Sequence, residues 1–426
     1  MRALRRRESA MRTPFDWVLD FVRRQTRNYR VLLVRKLGYN LFGRLSNQYT
    51  SLYAVSLGVD MIGLGTLNSV GSAVSTILSL PVGRLVDRYS LRKMMLFAMI
   101  LEILVPFAYV FAWNWILLIP ALIFFQLTGF RSIAVAVENV YIASSVKNED
   151  RASGFGVATV LATIGGTLAP IIAAYLVIAF GGINTTGIRP LFIIQLAGLI
   201  PLAIAIFLNL GETSKSGHGT GKGTNNFLRD FRSLFENAKG LKRFMFMECL
   251  GDFSMGMVFP FAMVFAVQGK NADPLILGYM GMAATLSNMI FAIPIGRLAD
   301  RIGRKKTLTL MRPIMYASYL LIAFAPGAYW LILAWAFLGF PWEWIVWSAM
   351  SMEMVPEDQR GRWSGMLMLF DNVVRIPAPI IGGVIYETVG PTVLFLLPVA
   401  IDLFLRVPVL LMTHETLRRS REIRPI

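Results

Sequence analysis

Acidic residues inside long apolar runs are the side chains of this sequence that could bind and release protons. Glu248 and Asp252 lie four residues apart with no base between them, a spacing that places both carboxylates on one face of a helix. Two carboxylates this close in a medium of low dielectric constant resist ionising together, so one of them should hold a proton near neutral pH. In the alternative interpretation Glu248 extends to the polar end of its run and Asp252 pairs with Arg44. Glu138 is a second candidate for proton transfer.

Two further acids lie four residues before a base, in apolar runs near the end of the chain. Asp371 precedes Arg375, and Asp402 precedes Arg406. An acid and a base at this spacing can neutralise each other along one face of a helix. We therefore predict that both are structural pairs.

The composition indicates an integral membrane protein. Of 426 residues, 55% are hydrophobic and 16% are charged, whereas soluble domains are nearer ~45–50% apolar and ~25% charged. A single cysteine, Cys249, and two histidines leave no disulfide framework and no thiolate metal cluster. Because no nucleophile constellation is present either, we expect no metal, no cofactor and no enzymatic activity.

The formal net charge of +17 reflects where the bases lie rather than an affinity for nucleic acid. Most of the 42 lysines and arginines fall in the amino-terminal segment, in alternate loops and in the carboxyl tail. These segments share one side of a membrane if the chain crosses it twelve times. The asymmetry follows the positive-inside rule and predicts cytoplasmic termini whose basic residues contact anionic lipids. We expect no nucleic-acid partner.

Twelve apolar runs are long enough to cross a bilayer, whose core requires about 20 helical residues. They cover 32–57, 62–85, 91–112, 115–146, 151–181, 189–211, 242–268, 275–298, 304–326, 328–355, 361–387 and 391–412. Many contain glycine or proline, which membrane helices tolerate because neighbouring helices supply hydrogen-bond partners. The fold class that these runs predict is an all-α membrane protein.

The chain is a duplicated unit. One constant shift along the chain carries the segment GRLVDRYSLRK, which begins at Gly83, onto GRLADRIGRKK, which begins at Gly296. The same shift, which we call the repeat shift, carries Gly38 onto Gly251. Each copy joins the second and third apolar runs of its half through a loop that is only long enough to turn. Each copy is therefore predicted to be a basic hairpin at one face of the membrane.

This hairpin resembles the loop between the second and third helices of major facilitator superfamily transporters, whose pattern is G-x-L-x-D-R-x-G-R-K/R. The second copy matches it at Gly296, Leu298, Asp300, Arg301, Gly303, Arg304 and Lys305. The first copy matches it at Gly83, Leu85, Asp87, Arg88 and Arg92. Ser90 and Leu91 replace the second glycine and the following arginine, which weakens the turn. The resemblance covers roughly residues 32–412.

The resemblance implies twelve transmembrane helices in two pseudosymmetric six-helix bundles. Such a protein is a monomer that carries a small molecule across the cell membrane by alternating access. The predicted organisation is a basic amino-terminal segment, a first bundle, a cytoplasmic linker, a second bundle and a tail, at residues 1–31, 32–211, 212–241, 242–412 and 413–426.

Two amphipathic segments outside the bundles are predicted to lie on the cytoplasmic side. The amino-terminal segment begins a helix at Pro14 and carries Arg23, Arg24, Arg27 and Arg30, a pattern typical of a helix on an anionic inner leaflet. A disordered basic tail is the alternative. In the linker, apolar residues recur at helical spacing over residues 227–238, which indicates a surface helix.

A second repeated segment joins the fourth and fifth runs of each half, VKNEDRASGFG from Val146 and VPEDQRGRWSG from Val355. In the family such acids and arginines pair with the basic hairpins, so the resemblance implies two ion networks that latch the cytoplasmic side when it closes. The expected latch residues are Gly83, Asp87, Arg88, Arg92, Glu149, Arg151, Gly296, Asp300, Arg301, Arg304, Asp358 and Arg360. The alternative is a static set of surface salt bridges, each of which contributes little.

In the family, helices one, four, seven and ten line the central cavity. Counting ~1.5 Å per residue from the nearest helix end places four charges near the midplane, namely Arg44, Arg131, Asp252 and Glu343. Arg131 and Glu138 are two turns apart on one face, so they could meet through a substrate or a partner helix. Tyr39 and Trp344 would add aromatic walls that suit flat or cationic organic substrates, although lipid contact is the ordinary role of such residues.

The fifth run resembles the antiporter motif of the family, G-x8-G-x3-G-P-x2-G-G. The matching residues are Gly156, Gly165 and Pro170, and alanine replaces glycine at Ala169, Ala173 and Ala174. The resemblance supports proton-coupled export of a small organic, drug-like compound. One alternative is proton-coupled uptake of an anionic or zwitterionic nutrient, which Arg44 and Arg131 favour. A membrane sensor built on a transporter fold is the alternative from another class.

Overall fold

The computed structural model describes residues 14–88, 90–128, 133–212, 240–356 and 359–417, and their regular structure is entirely helical. The helices up to the linker are α1 Pro14–Arg24, α2 Arg27–Gly38, α3 Thr50–Ser56, α4 Met61–Arg88, α5 Leu91–Val110, α6 Leu118–Thr128, α7 Ile133–Ser145, α8 Arg151–Ala179 and α9 Thr185–Asn209. Those after it are α10 Leu241–Val258, α11 Ala262–Lys270, α12 Pro274–Ile302, α13 Arg304–Phe324, α14 Tyr329–Leu338, α15 Trp342–Glu353, α16 Arg360–Val374, α17 Ala378–Thr388, α18 Pro391–Ile401 and α19 Val407–Leu411.

Within the described residues, 8 helical segments are long and apolar enough to cross a membrane. Shorter apolar helices cover Met61–Val74, Trp115–Phe125 and Tyr329–Leu338. The all-α membrane fold is thus confirmed, while the count of twelve crossings stays a prediction. The linker helix predicted at 227–238 lies outside the described residues.

Two faces of the molecule are distinguished by the chain segments that they hold. The terminal face carries α1 and both ends of each half. Arg27, near the start of the first half, donates to Asn209 near its end at 2.5 Å, and Arg243 and the Met412 carbonyl make the same connection in the second half at 2.9 Å. The opposite face carries the loops that precede α4 and α12. Because α12 begins on the opposite face and ends beside Glu415 of the carboxyl tail, the two faces lie at opposite ends of the long helices.

The duplication is visible where α4 and α12 begin on the opposite face. Asp60 accepts a hydrogen bond from the Gly63 amide at 2.7 Å, and Asp273 accepts one from the Ile276 amide at 2.8 Å. Each aspartate is an N-cap that satisfies an amide left without a partner in the first helical turn. The repeat shift carries Asp60 onto Asp273, so the two helices start at equivalent positions by the same device.

The two halves meet along α4 with α17 and along α8 with α12, and glycine permits the closest approach. A Cβ on Gly65 would collide with the Pro379 carbonyl oxygen, and one on Gly278 would lie 3.0 Å from the Pro170 carbonyl oxygen. Both contacts lie toward the opposite face. By contrast Gly296, near the terminal end of α12, has nothing within 4 Å of such a Cβ. Among the described glycines, these close contacts between the halves therefore lie toward the opposite face.

The basic hairpins differ in the way that their sequences indicated. Gly303, between α12 and α13, has a φ of 109°, a left-handed conformation that favours glycine. In the first copy Ser90 instead caps α5 by accepting from the Lys93 amide at 3.4 Å. Where the second copy has this glycine, the first copy therefore has a serine that caps the following helix.

The amino-terminal helix α1 covers Pro14–Arg24, within the segment where the sequence predicts a helix. Its Phe21 is buried and packs edge-on against Tyr29 of α2. At the end of α1, Gln25 donates to the Asp150 carboxylate at 3.1 Å. This helix is therefore attached to the first half through one face and a polar end, while Arg23 and Arg24 remain exposed.

Candidate functional site

Three carboxylates from two helices converge in the second half. Glu248 and Asp252 on α10 and Asp371 on α16 place carboxylate oxygens within 4.8 Å of one another. Arg375 donates to Asp252 Oδ1 at 2.7 Å, with 47% of the Arg375 side chain exposed and 15% of the Asp252 side chain exposed. Asp371 is buried. We call these four residues the acidic cluster, since the sequence prediction of a close pair on α10 gains a third acid here.

A break between α16 and α17 positions the base of the acidic cluster. The last turn of α16 closes with the Arg375 amide bonded to the Asp371 carbonyl, and Pro377 precedes the start of α17. Proline disfavours helical continuation at the residue before it. A Cβ on Gly256 would lie 3.7 Å from Arg375 Cγ, so α10 passes close to the break.

Arg375 pairs with an acid on another helix. The sequence predicted a pair of Arg375 with Asp371, and the alternative for Asp252 was a pair with Arg44. The ion pair that joins Arg375 to Asp252 crosses between α16 and α10, so the alternative pair with Arg44 is wrong, while the pair with Asp371 stays a prediction. Arg375 can reach Asp252 because α10 passes close to the end of α16.

Carboxylate oxygens are hard ligands, so the acidic cluster has the donor set of a site for a hard cation as well as for protons. The sequence excluded thiolate chemistry but did not anticipate this gathering of acids. It could not do so because Asp371 was assigned to a structural pair. The cluster can hold a positive charge in one of three forms, namely a proton, a cation or the Arg375 guanidinium.

A second ionic cluster lies inside the first half and contains Glu138. Arg35 of α2 donates to Glu102 of α5 at 2.6 Å and to Glu138 of α7 at 2.8 Å, and Lys36 lies 3.3 Å from Glu138. Arg35 is 1% exposed, and both acids are buried. We call these four residues the balanced cluster, because two bases face two acids. Glu138, predicted as a proton carrier, is thus held by two cations.

The sequence analysis missed Arg35, Lys36 and Glu102, although all three lie inside predicted apolar runs. The signal was available, since ionisable residues at bilayer depth are costly and require partners. Arg35 and Lys36 were overlooked because they lie near the start of the first run, where a base can extend to the surface. The structure shows that the Arg35 side chain turns inward to the acids instead.

The predicted pair of Asp402 and Arg406 is confirmed, with 3.2 Å between Arg406 Nη1 and Asp402 Oδ1. Arg312 of α13 joins the same carboxylate, and Tyr316 donates to it at 2.7 Å. Arg406 also donates to the Met247 carbonyl at 3.0 Å. This buried network therefore ties the last pass to α10, one residue before Glu248.

Two of the other residues that were predicted to line the cavity, Arg44 and Tyr39, have described surroundings. Arg44 ends a π-helical segment, Tyr39–Gly43, and its side chain is exposed. It lies at the seam, where a Cβ on Gly166 would meet Arg44 Nη1 at 3.7 Å and Thr285 of the other half at 3.9 Å. The Arg35 guanidinium lies 5.5 Å from the centre of the Tyr39 ring.

The structure shows less about the other three residues that were predicted to line the cavity. Trp344 is 57% exposed. Arg131 and the side chain of Glu343 lie outside the described parts of the chain. The meeting of Arg131 and Glu138 through a substrate therefore stays a prediction.

On the terminal face, the second hairpin forms part of the predicted latch. Arg304 bonds to Asp300 at 2.6 Å and to Glu353 at 3.0 Å. Arg360 donates to the Met352 carbonyl at 3.1 Å. Glu353 was not predicted as a member, and Asp358 lies outside the described residues. The network links α12, α13 and α15, which all belong to the second half.

The carboxyl tail completes this network. Glu415 accepts hydrogen bonds from the Arg304 and Lys305 amides at 2.8 and 3.1 Å. The tail carboxylate thus caps the start of α13. Arg301 lies in the last turn of α12, next to this cap.

The first hairpin is described only in part. The surroundings of Gly83 and the side chains of Asp87 and Arg88 lie outside the described parts of the structure, and Glu149 is exposed. Arg151 donates to the Ala143 carbonyl at 3.2 Å, and Arg92 donates to the Phe207 carbonyl at 3.0 Å. These contacts join α8 to α7 and α5 to α9, all within the first half, so the latch across the seam stays a prediction.

Comparison with known proteins agrees with the duplicated architecture. The Major Facilitator Superfamily model matches residues 42–271 and again residues 244–425, once for each half. The chain belongs to the major facilitator superfamily. This membership makes it a transporter of a small molecule and not an enzyme, as the hairpin motif indicated.

Individual relatives are more distant. A multi-drug resistance efflux pump PmrA homolog of Lactococcus lactis subsp. lactis (strain IL1403) is 30% identical over 186 residues, which are 41% of this chain and 45% of the relative. The alignment thus spans less than half of that protein. A variant of the nucleoside transporter NupG is 16% identical, with a TM-score of 0.75 over 91% of this chain and 100% of its own.

A bacterial homologue of the iron transporter ferroportin, in an inward-facing state, has a TM-score of 0.68 at 13% identity. The match covers 98% of that protein and 90% of this chain. At these identities, likeness to the two solved structures establishes the fold alone. The substrate has to be argued from the side chains of this chain.

Proposed function

We propose that this superfamily member is a proton-coupled exporter of a small organic compound, with its terminal face in the cytoplasm of the cell. The observation that carries the proposal is the convergence of the carboxylate oxygens of Glu248, Asp252 and Asp371 within 4.8 Å of one another, with the half-exposed Arg375 bonded to Asp252. The partial match to an efflux pump homolog and the antiporter-like fifth run support the direction of export.

The cluster suits coupling because three carboxylates converge beside a base that is about half exposed. Repulsion among carboxylates this close is relieved when one of them binds a proton. Arg375 is about half exposed, so its guanidinium can leave Asp252 without crossing a packed core. Proton uptake at Asp252 and release of Arg375 would then be one event, which gives the site two states.

A pH gradient is the direct test of coupling and of direction. We expect purified protein in liposomes to accumulate ethidium, a fluorescent organic cation, when the lumen is acidic, because protons leaving the vesicle drive the probe inward. Nigericin, which collapses the gradient, should abolish the accumulation. Liposomes without protein provide the control. Ethidium accumulation that is unaffected by nigericin would contradict proton coupling for this probe.

Uptake of an anionic or zwitterionic nutrient is the second candidate, and the exposed guanidinium of Arg44 at the seam favours it. The same liposomes separate the two functions, since a proton symporter accumulates its substrate when the external medium is acidic. Radiolabelled glutamate, as a test anion, should accumulate only under that opposite gradient if uptake is the function. A sodium gradient at fixed pH tests whether the acidic cluster takes a metal cation instead.

A further inference from the structure

One carboxylate of the second half bonds directly to a helix of the first half. Glu387, near the end of α17, accepts hydrogen bonds from the Met61 and Ile62 amides at 2.7 and 3.2 Å. These amides open α4, whose N-cap is Asp60. The start of α4 is thus satisfied by two carboxylates, one from its own half and one from the other half.

The start of α12 is the position equivalent to the start of α4, and the sequence there does not allow the same contact. The repeat shift carries Met61 onto Pro274, which has no amide hydrogen to donate. The alignment of α8 with α17 that places Pro170 on Pro379 places Ile178 on Glu387. The start of α12 therefore lacks the acceptor and one of the two donors. There, the Tyr49 hydroxyl donates to the Pro274 carbonyl at 3.3 Å.

The contact lies where the halves are already in close approach. A Cβ on Gly383, one turn before Glu387, would lie 3.0 Å from Ile62 Cα. Glu387 is nevertheless exposed to solvent. A charged acceptor on unpaired amides forms a stronger hydrogen bond than a neutral one, and solvent access lets the carboxylate exchange those amides for water without being stranded in a packed core.

We propose that Glu387 is a releasable clasp between the halves, which holds the opposite face closed and lets go when that face opens. The clasp acts on α4 and α17 only, so the two sides of the seam are held unequally. This inference rests on the proposed transport by alternating access. It does not depend on which substrate or ion is carried.

Distances between the halves test the clasp without any transport measurement. In a Cys249→Ser background, nitroxide labels at Trp113→Cys and Tyr329→Cys report on the opposite face, because both residues are exposed there, one in each half. Electron–electron resonance on the full chain in nanodiscs, without substrate or gradient, gives the populations of short and long distances. For Glu387→Ala we expect the ratio of long to short distances to rise about tenfold, as expected for the loss of a charge-assisted hydrogen bond.

Asp60→Ala is the matched control, because it removes a cap from the same helix start without touching the other half. Its distance distribution should equal that of the parent, while Glu387→Gln, which keeps an acceptor but loses the charge, should fall between the parent and Glu387→Ala. Equal distributions for Glu387→Ala and Asp60→Ala would overturn the clasp. A shift confined to Glu387 in a protein that fails to transport ethidium would uphold the clasp and reject the proposed function alone.

Discussion

The first pass of each half places opposite charges at equivalent positions. The repeat shift carries Arg35 onto Glu248 and Tyr39 onto Asp252. In the first half the base is buried between two acids of neighbouring helices. In the second half the two acids meet a third, and their described ion-pair partner is half exposed. One duplicated helix has thus acquired two different electrostatic roles.

The difference indicates which cluster stabilises the fold and which can change its charge. Two bases and two acids in the balanced cluster leave no net charge to relieve, and Arg35 makes two short hydrogen bonds. A buried ion pair of this kind resists the loss of either partner. In the acidic cluster the base that pairs with Asp252 is 47% exposed, so this pair can separate and its charge can vary during a transport cycle.

The largest effect is expected from Arg35→Met, which leaves Glu102 and Glu138 buried without their shared base. Loss of one partner of a buried pair costs about 3–5 kcal/mol. The folded yield, measured by size-exclusion chromatography, and the melting temperature should both fall sharply. Lys36→Met is the control, because Lys36 is 21% exposed and lies farther from Glu138.

Combining Arg35→Met with Glu102→Gln should restore part of the melting temperature, since one stranded charge is then removed. If Arg35→Met alone were as stable as the parent, the balanced cluster would not be what stabilises the first half. The contrast between the two halves would then fail.

The next effect concerns Asp252→Asn, which mimics a permanently protonated carboxyl group. This variant should still exchange ethidium across liposome membranes, yet lose at least about tenfold of the accumulation driven by a pH gradient, as for a general proton-transfer group. Tyr39→Phe is the pseudosymmetric control and should keep gradient-driven accumulation. Full accumulation by Asp252→Asn would exclude Asp252 and leave Glu248 and Asp371 as the remaining acids of the cluster.

Loss of exchange as well as accumulation would point to a structural pair between Asp252 and Arg375. In that case Arg375→Gln combined with Asp252→Asn should recover folding better than either change alone. Both clusters would then have a structural role, and the contrast between the two halves would fail.

The smallest effect is expected at the hairpins of the terminal face. Asp300→Asn should slow transport about two- to fivefold, since an exposed ion pair contributes only about 0.2–1 kcal/mol, while thermal stabilisation by ethidium should be unchanged. Asp87→Asn should do the same if the first hairpin is equivalent. Glu212→Gln, an exposed acid on the same face, is the control. Unchanged transport in both aspartate variants would reject the latch.

The sequence predicted the fold because its strongest signal, the repeated hairpin, is long and specific. The repeat shift relates not only the glycines of the hairpins but also the caps at Asp60 and Asp273. Local spacing also predicted the pair of Asp402 and Arg406, because both lie within about one helical turn of each other. These features depend on contacts close in sequence or repeated in it.

The site was less predictable because its contacts cross between helices. The partner of Asp252 lies 123 residues further along the chain, at the end of α16. The inward turn of Arg35 depends on acids that belong to later helices, distant in the chain. A rule based on spacing within one helix cannot predict either contact. Considering every charge in the apolar runs would have identified Arg35 and Glu102 as residues that need partners.

The balanced cluster also has a consequence for biosynthesis. The helix that contains Arg35 leaves the ribosome before α5 and α7, which bring Glu102 and Glu138. An unpaired arginine at the centre of an inserting helix costs roughly 2.5–3.5 kcal/mol on translocon scales, and less near the end of the helix, where it can reach the interface. We therefore expect the first pass of the nascent chain to insert at a shallow depth, with Arg35 among the headgroups, and to reach its final depth when the two later helices supply Glu102 and Glu138.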